Sequence, residues 1–223
     1  MQRIFVADVE TTGLNAHVDE IVELSFVEIN EDFIEQSRLS TKVNPGMPIC
    51  PAASAVHGII DADVVEALPL NEALQPFGEG YFDDVFLIAH NAQFDQKFLD
   101  HYWCIQGVFC TLRAARRMYP DAPNHKLQTL RFYLDLDVDR NAAAHSAEGD
   151  VAVLIALLQK MVSDSGESLP DFVDLMLEPI PVDVMPFGKY KGCTLQSLPK
   201  SYVKWLLNLP DLDSDLEASL KGI

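Results

Sequence analysis

The sequence predicts an α/β fold, a mixed sheet flanked by helices, with a small and mainly helical module appended at the C-terminal end. Three features carry that expectation. Strand-like segments crowd the opening of the chain, helix-like segments dominate after Ala89, and one strand-to-helix unit joins the two regions. The pattern then resets after Asp164-Ser165-Gly166-Glu167. Domain limits of 1–165 and 168–223 follow.

Ile4–Val9, Glu20–Ile29 and Ile34–Val43 hold the β-branched and aromatic residues of strands. Gly13-Leu14-Asn15 and Asn30-Glu31-Asp32 supply turn residues between them, so the three segments read as an antiparallel meander. After Pro45, Pro48 and Pro51, the run Asp84–Ala89 reads as a buried strand. Phe94, Phe98 and Tyr102 then repeat at four-residue spacing behind Asn91, a favoured N-cap residue, which predicts a helix. Val151–Leu158 is apolar on every side, as expected of a helix packed against a sheet.

Composition narrows the function. A chain of 223 residues with 48% hydrophobic content can build a core without staples. The start of the chain has no apolar run of signal-peptide length, and no segment approaches the roughly 20 apolar residues that span a bilayer. Cys50, Cys104, Cys110 and Cys193 are scattered, so neither a zinc site nor a disulfide framework is expected, and a reducing cytoplasm is the expected location. A formal charge of −18 excludes a protein that coats long duplex DNA, because such binding needs many Lys and Arg contacts to phosphate. It leaves room for an enzyme that grips one strand end. Residues 105–145 hold six basic and four acidic side chains, against four and eighteen in residues 1–104. Arg113, Arg116, Arg117, Lys126 and Arg131 in that stretch form either a solvated helix face or a phosphate track.

Three clusters of chemically capable residues stand out. Asp8 and Glu10, two apart at the end of the first strand, point to one face of the pleat, and burying such a pair is costly unless a cation neutralises it. Thr11-Thr12-Gly13 follows, a turn whose backbone N–H groups can meet a phosphate or sugar. The second cluster runs from Ala89 to Asp95 and places Asp95 on a first helical turn, where an aspartate also suits the helix dipole. The third, His145-Ser146-Ala147-Glu148-Gly149-Asp150, leads into the apolar helix. Five residues of helix rotate about 500°, so His145 belongs on the loop ahead of the helix if Asp150 is on it.

Together these clusters resemble the three motifs of the DEDDh (DnaQ-like) exonuclease family, named for four acids and a histidine. Asp8–Gly13 resembles the first motif, Asn91–Asp95 the second and His145–Asp150 the third. The resemblance covers roughly residues 3–163 and implies a ribonuclease-H-like fold with a five-stranded mixed sheet. It implies a 3′-to-5′ exonuclease in which Asp8, Glu10, Asp95 and Asp150 hold two Mg²⁺ or Mn²⁺ ions and His145 is the general base. It also implies that Thr11, Thr12 and Leu14 line the slot for the terminal nucleotide, with His57, Asn91 and Phe94 near the strand end. The bland alternatives are a turn hydrophobe for Leu14, a structural role for His57, and capping and packing for Asn91 and Phe94.

The C-terminal module mixes aromatics, lysines and glycines in Met185–Gly192 and Leu198–Leu207, and resembles the tail of exonuclease-X-type members and a small uncharacterised domain that occurs alone. Phe187, Lys189, Tyr190 and Lys191 suit a single nucleic-acid strand, whereas Tyr202, Trp205 and Leu206 at helical spacing read as core. The expected partner is a single-stranded 3′ end of DNA. RNA is the alternative substrate, and a catalytically silent strand-end binder or polymerase accessory protein is the alternative class.

Overall fold

The computed structural model describes residues 3–138, 146–179, 181–209 and 212–223. The chain divides into two compact units, Met1–Phe172 and Val173–Ile223.

The first unit is built on a five-stranded sheet. Strands β1 (Arg3–Thr11), β2 (Ile21–Ile29) and β3 (Glu35–Lys42) form the expected antiparallel meander. Three short helices follow, α1 (Pro51–His57), α2 (Asp61–Val64) and α3 (Leu70–Ala73). Strand β4 (Val85–Ala89) then pairs in parallel with β1, and β5 (Ile105–Cys110) in parallel with β4, giving the order β3-β2-β1-β4-β5. The residue-level reading missed β5 because Gln106 and Gly107 interrupt its apolar run and only Phe109 in it is fully buried. Helix α4 (Gln93–Leu99) connects β4 to β5, and α5 (Thr111–Met118), α6 (Leu127–Tyr133) and α7 (Ala147–Ser165) follow.

Alternation along β1 decides which face carries what. Phe5, Ala7 and Val9 enter a core with Phe26, Phe82 and Trp103, in which Phe82 stacks on Trp103 at 5.0 Å between ring centroids. The intervening residues Asp8 and Glu10 therefore face the opposite side. That side is covered by α7, which packs on β1 and β2 and buries Val153, Leu154, Leu157, Leu158 and Met161. Each such side chain stabilises the fold by about 1.5–3 kcal/mol. The helix begins at the Ser146 N-cap, whose hydroxyl accepts from the Gly149 N–H at 3.2 Å, and ends at Gly166 in the left-handed region (φ 75°).

Helix α8 (Leu169–Leu177) runs across the boundary between units. In the second unit a bridge pairs Val184 with Thr194, followed by α9 (Lys200–Leu206) and α10 (Ser214–Lys221). Its core is small: Met185, Leu195, Leu198, Leu206, Leu216 and Leu220. Trp205, expected in the core, is 53% exposed, and Tyr202 is half-buried. Among the described residues no helix is long and apolar enough to cross a membrane.

Candidate active site

Asp8, Glu10 and Asp150 come together: each offers a carboxylate oxygen, and these oxygens lie within 4.8 Å of one another. Two of them share a face of β1, and α7 brings the third across from its first turn. Asp95, on the first turn of α4, is 2% exposed, and its Oδ1 accepts from the Val9 N–H at 3.2 Å, directly beside Asp8 along the chain. His145 lies outside the described residues.

The acids repel one another. Asp8 is held well above the usual aspartate range by burial, then by Asp95, Asp150, Glu10 and Glu23. Glu10 is pushed up to about 8 by burial, then by Asp150, Glu23 and Asp95. Asp95 rises to about 7 through burial, against the lowering effect of its backbone hydrogen bonds. Such a group of carboxylates is stable in charged form only beside positive charge. An all-oxygen donor set from β1 and α7 fits a divalent metal ion.

Two residues of the site were not singled out in the sequence. Glu23 on β2 is the direct cross-strand partner of Glu10 and is 9% exposed, and its Oε2 accepts from the Ala147 N–H at 2.9 Å at the first residue of α7. A charged residue inside Ile21-Val22-Glu23-Leu24, buried throughout, was the available clue. Gln128 on α6 donates to Asp150 Oδ1, and nothing in the local sequence marks it.

The remaining expected residues lie on the turn after β1, at the end of α1 and on the β4-to-α4 connection. Thr11 and Thr12 are buried, and the Thr11 hydroxyl donates to the Gly13 carbonyl at 2.5 Å. The Thr12 hydroxyl donates to Asp19 Oδ1 at 3.2 Å and accepts from the Glu20 N–H at 3.0 Å. Asp19 also accepts from the Asn15 N–H at 2.9 Å, and a Cβ at Gly13 would sit 2.5 Å from its carboxylate oxygens. Above this clasp Leu14 stands 87% exposed. His57 accepts from the Ile59 N–H through Nδ1 at 3.0 Å, so its Nε2 carries the proton and donates to the Thr11 carbonyl at 3.2 Å. Burial lowers its pKa. Phe94 lies against the core beside Phe98, with ring centroids 5.1 Å apart.

Asn91 corrects the expected cap. It adopts a left-handed conformation (φ 71°), Ala92 takes the cap position, and no side chain caps α4. A tight turn between β4 and α4 needs positive φ, which asparagine tolerates better than most residues. Asn91 instead lines a cavity of about 800 Å³ with Asp8, Asp150, His90, Gln128, Arg116 and Lys126. Of the five basic residues singled out in the sequence, Arg116 and Lys126 thus meet the carboxylates in one cavity, and Arg131 is buried. His90 is half-buried, its pKa lowered to about 4 by desolvation, with its ring nitrogens on Thr111 Oγ1 (3.0 Å) and the His125 carbonyl (2.8 Å).

Comparison with known proteins identifies the family. A family model described as Exonuclease (RNase_T) matches residues 5–158. A second, described as “Putative quorum-sensing-regulated virulence factor”, matches residues 175–209. Exodeoxyribonuclease 10 of Escherichia coli strain K12 is 29% identical over 97% of this chain and 96% of its own length. The PolC-type DNA polymerase III of Bacillus subtilis strain 168 is 33% identical over 73% of this chain, a match to 12% of the polymerase. Among solved structures, exonuclease X in complex with 5′-overhanging duplex DNA superposes with a TM-score of 0.63 at 28% identity, covering 78% of this chain and 99% of that one. E. coli exonuclease I with a dA16 oligonucleotide gives a TM-score of 0.59 at 16% identity over 78% of this chain and 43% of that one, a likeness of fold. The fold is ribonuclease-H-like, and the chain belongs to the RNase_T (DnaQ-like) exonuclease family and is an exonuclease.

Proposed function

We propose that the protein hydrolyses the last phosphodiester at the 3′ end of DNA and releases a nucleoside 5′-monophosphate. The observation that carries this reading is the convergence of Asp8, Glu10 and Asp150 within 4.8 Å, with Asp95 behind them. Asp8, Glu10, Asp95 and Asp150 would hold two Mg²⁺ or Mn²⁺ ions, which supply positive charge against the phosphoryl oxygens when bound. His145, immediately ahead of the α7 N-cap in sequence, takes the proton of the attacking water. The water oxygen bonds to phosphorus as the bond to the penultimate O3′ breaks, and that oxygen takes a proton from solvent and leaves as a hydroxyl. Gln128 orients Asp150 by its hydrogen bond, and His57 fixes the Thr11 backbone beside the acids. Thr11, Thr12 and Leu14 form the slot for the terminal nucleotide, with Asn91 and Phe94 as further substrate contacts.

DNA is preferred as substrate by likeness to the exodeoxyribonuclease named above, which aligns along nearly the whole chain. The four cysteines are unpaired, which suits a reducing cytoplasm. Purified protein incubated with matched 3′-labelled DNA and RNA oligonucleotides, with Mg²⁺ or EDTA, tests the reading. DNA-derived mononucleotides, lost with EDTA and with Asp8→Ala, are the expected products. Faster release from RNA would reassign the substrate, and binding without release would refute the nuclease reading.

A further inference from the structure

The second unit carries a charge and ring pattern that the catalytic reading does not use. Residues 185–209 contain four lysines and no acidic residue, in a chain with 34 acids and a formal charge of −18. All four aromatic residues of the unit, Phe187, Tyr190, Tyr202 and Trp205, fall in the same stretch. Folding joins three of them into a ladder. Tyr190 meets Tyr202 at 4.6 Å between centroids, and Tyr202 meets Trp205 at 5.3 Å with only 28° between the planes.

The ladder is built rather than incidental. Gly188 has φ 73°, a conformation that favours glycine, and a Cβ there would lie 2.9 Å from the Tyr202 hydroxyl, so a larger residue would strain the loop bearing Lys189 and Tyr190 and displace the Tyr202 ring. Lys189 Nζ stands 5.3 Å from the Tyr190 ring centroid. Lys200 and Lys204, one helical turn apart on α9, are exposed, as is Lys191. Among the described residues none of these four lysines forms an ion pair. Trp205 packs one ring face on Tyr202, stays outside the small core and is 53% exposed. An indole so placed has no packing role that accounts for its exposure.

We propose that this ladder binds single-stranded nucleic acid, with a base stacked on Trp205 and lysines meeting the phosphates beside it. Every base offers a π-face, so an aromatic ladder flanked by cations takes a strand without reading its sequence, and the absence of acids within residues 185–209 removes the local repulsion that the rest of the chain would impose on a polyanion. The idea rests on the nuclease reading only in naming the same class of ligand.

Tryptophan emission gives a direct test in the full-length protein, because Trp103 is 3% exposed and Trp205 faces solvent. In EDTA, titration with an oligo-dT strand should quench that emission saturably. Trp205→Phe should abolish the quench while keeping the Kd within about threefold, and Trp205→Ala should weaken binding about tenfold. The double substitution Lys189→Gln, Lys191→Gln should lower the salt slope of log K by about 1.4. No quench, or a Trp205→Ala protein that binds as tightly as the parent, overturns the proposal. So does an abasic strand that binds as tightly as oligo-dT, since charge alone would then explain binding. Mononucleotide release in Mg²⁺ without quenching would sink the ladder and spare the nuclease reading, and quenching without release would do the reverse.

Discussion

Glu23 shows why a buried carboxylate beside other carboxylates is retained. Electrostatically it is a burden, since it raises both Asp8 and Glu10. Its oxygen, however, satisfies the first N–H of α7, and that helix delivers Asp150 four residues from its cap. If position matters more than charge, Glu23→Gln, which keeps an acceptor for Ala147, should leave kcat within about threefold, while Glu23→Ala lowers it by up to about 100-fold through misplacement of Asp150. Steady-state kinetics on a 3′-labelled strand, with KM reported separately, distinguish the two. Equal losses in both variants would mean that the charge itself is required. The first-strand acids were legible in the sequence because two carboxylates, two residues apart, end one apolar strand and open a recognisable motif. Glu23 and Gln128 were not, because their meaning comes from partners 124 and 22 residues away.

The same contrast between local and distant causes runs through the strands and helices. Strands β1 to β4 were readable to within two residues, whereas of helix α7 only the buried centre, Val151–Leu158, was legible, and its polar ends extend four residues earlier and seven later. Strand β5 was not, because Gln106 and Gly107 break its apolar run and no short turn ties it to a neighbour in sequence, its place being set by parallel pairing to β4. The helix after β4 starts at Gln93 rather than behind an Asn91 cap, and stops at Leu99 before Tyr102. Helix α7 is where the sheet and the carboxylates depend on each other. Leu157 is wholly buried on it, so Leu157→Ala should cost about 2–5 kcal/mol in urea unfolding, by lost transfer energy and the cavity left behind. A cost under about 1 kcal/mol would mean that α7 repacks freely against β1 and β2.

For the protein as a whole, the clustered acids make stability depend on pH and on divalent cation together. A carboxyl whose folded pKa is raised contributes stability that is fully present below its unfolded value and is lost as pH rises through the folded value. Glu10, near 8, and Asp95, near 7, therefore weaken the metal-free fold progressively between about pH 5 and pH 8. Cation binding reverses that loss, because it favours the charged forms. The rise in Tm on adding Mg²⁺ should accordingly be larger at pH 8 than at pH 5, by several degrees in a thermal melt. Asp8→Asn should shrink the rise at pH 8. Equal Mg²⁺ effects at both pH values would show that the acids hold no ion. The global charge of −18 points the same way, as counter-ions relieve self-repulsion in general, but only the site predicts this pH dependence.

The clasp beneath Gly13 separates two neighbouring positions by what they tolerate. At position 13 the Asp19 carboxylate occupies the space that any side chain would need, whereas Leu14 one step later projects into solvent. A library randomised at both codons and selected only for folding should return glycine at the first and almost anything at the second. Selection for strand degradation should narrow the second as well, and the gap between the two outcomes measures how far that exposed leucine answers to substrate rather than to architecture.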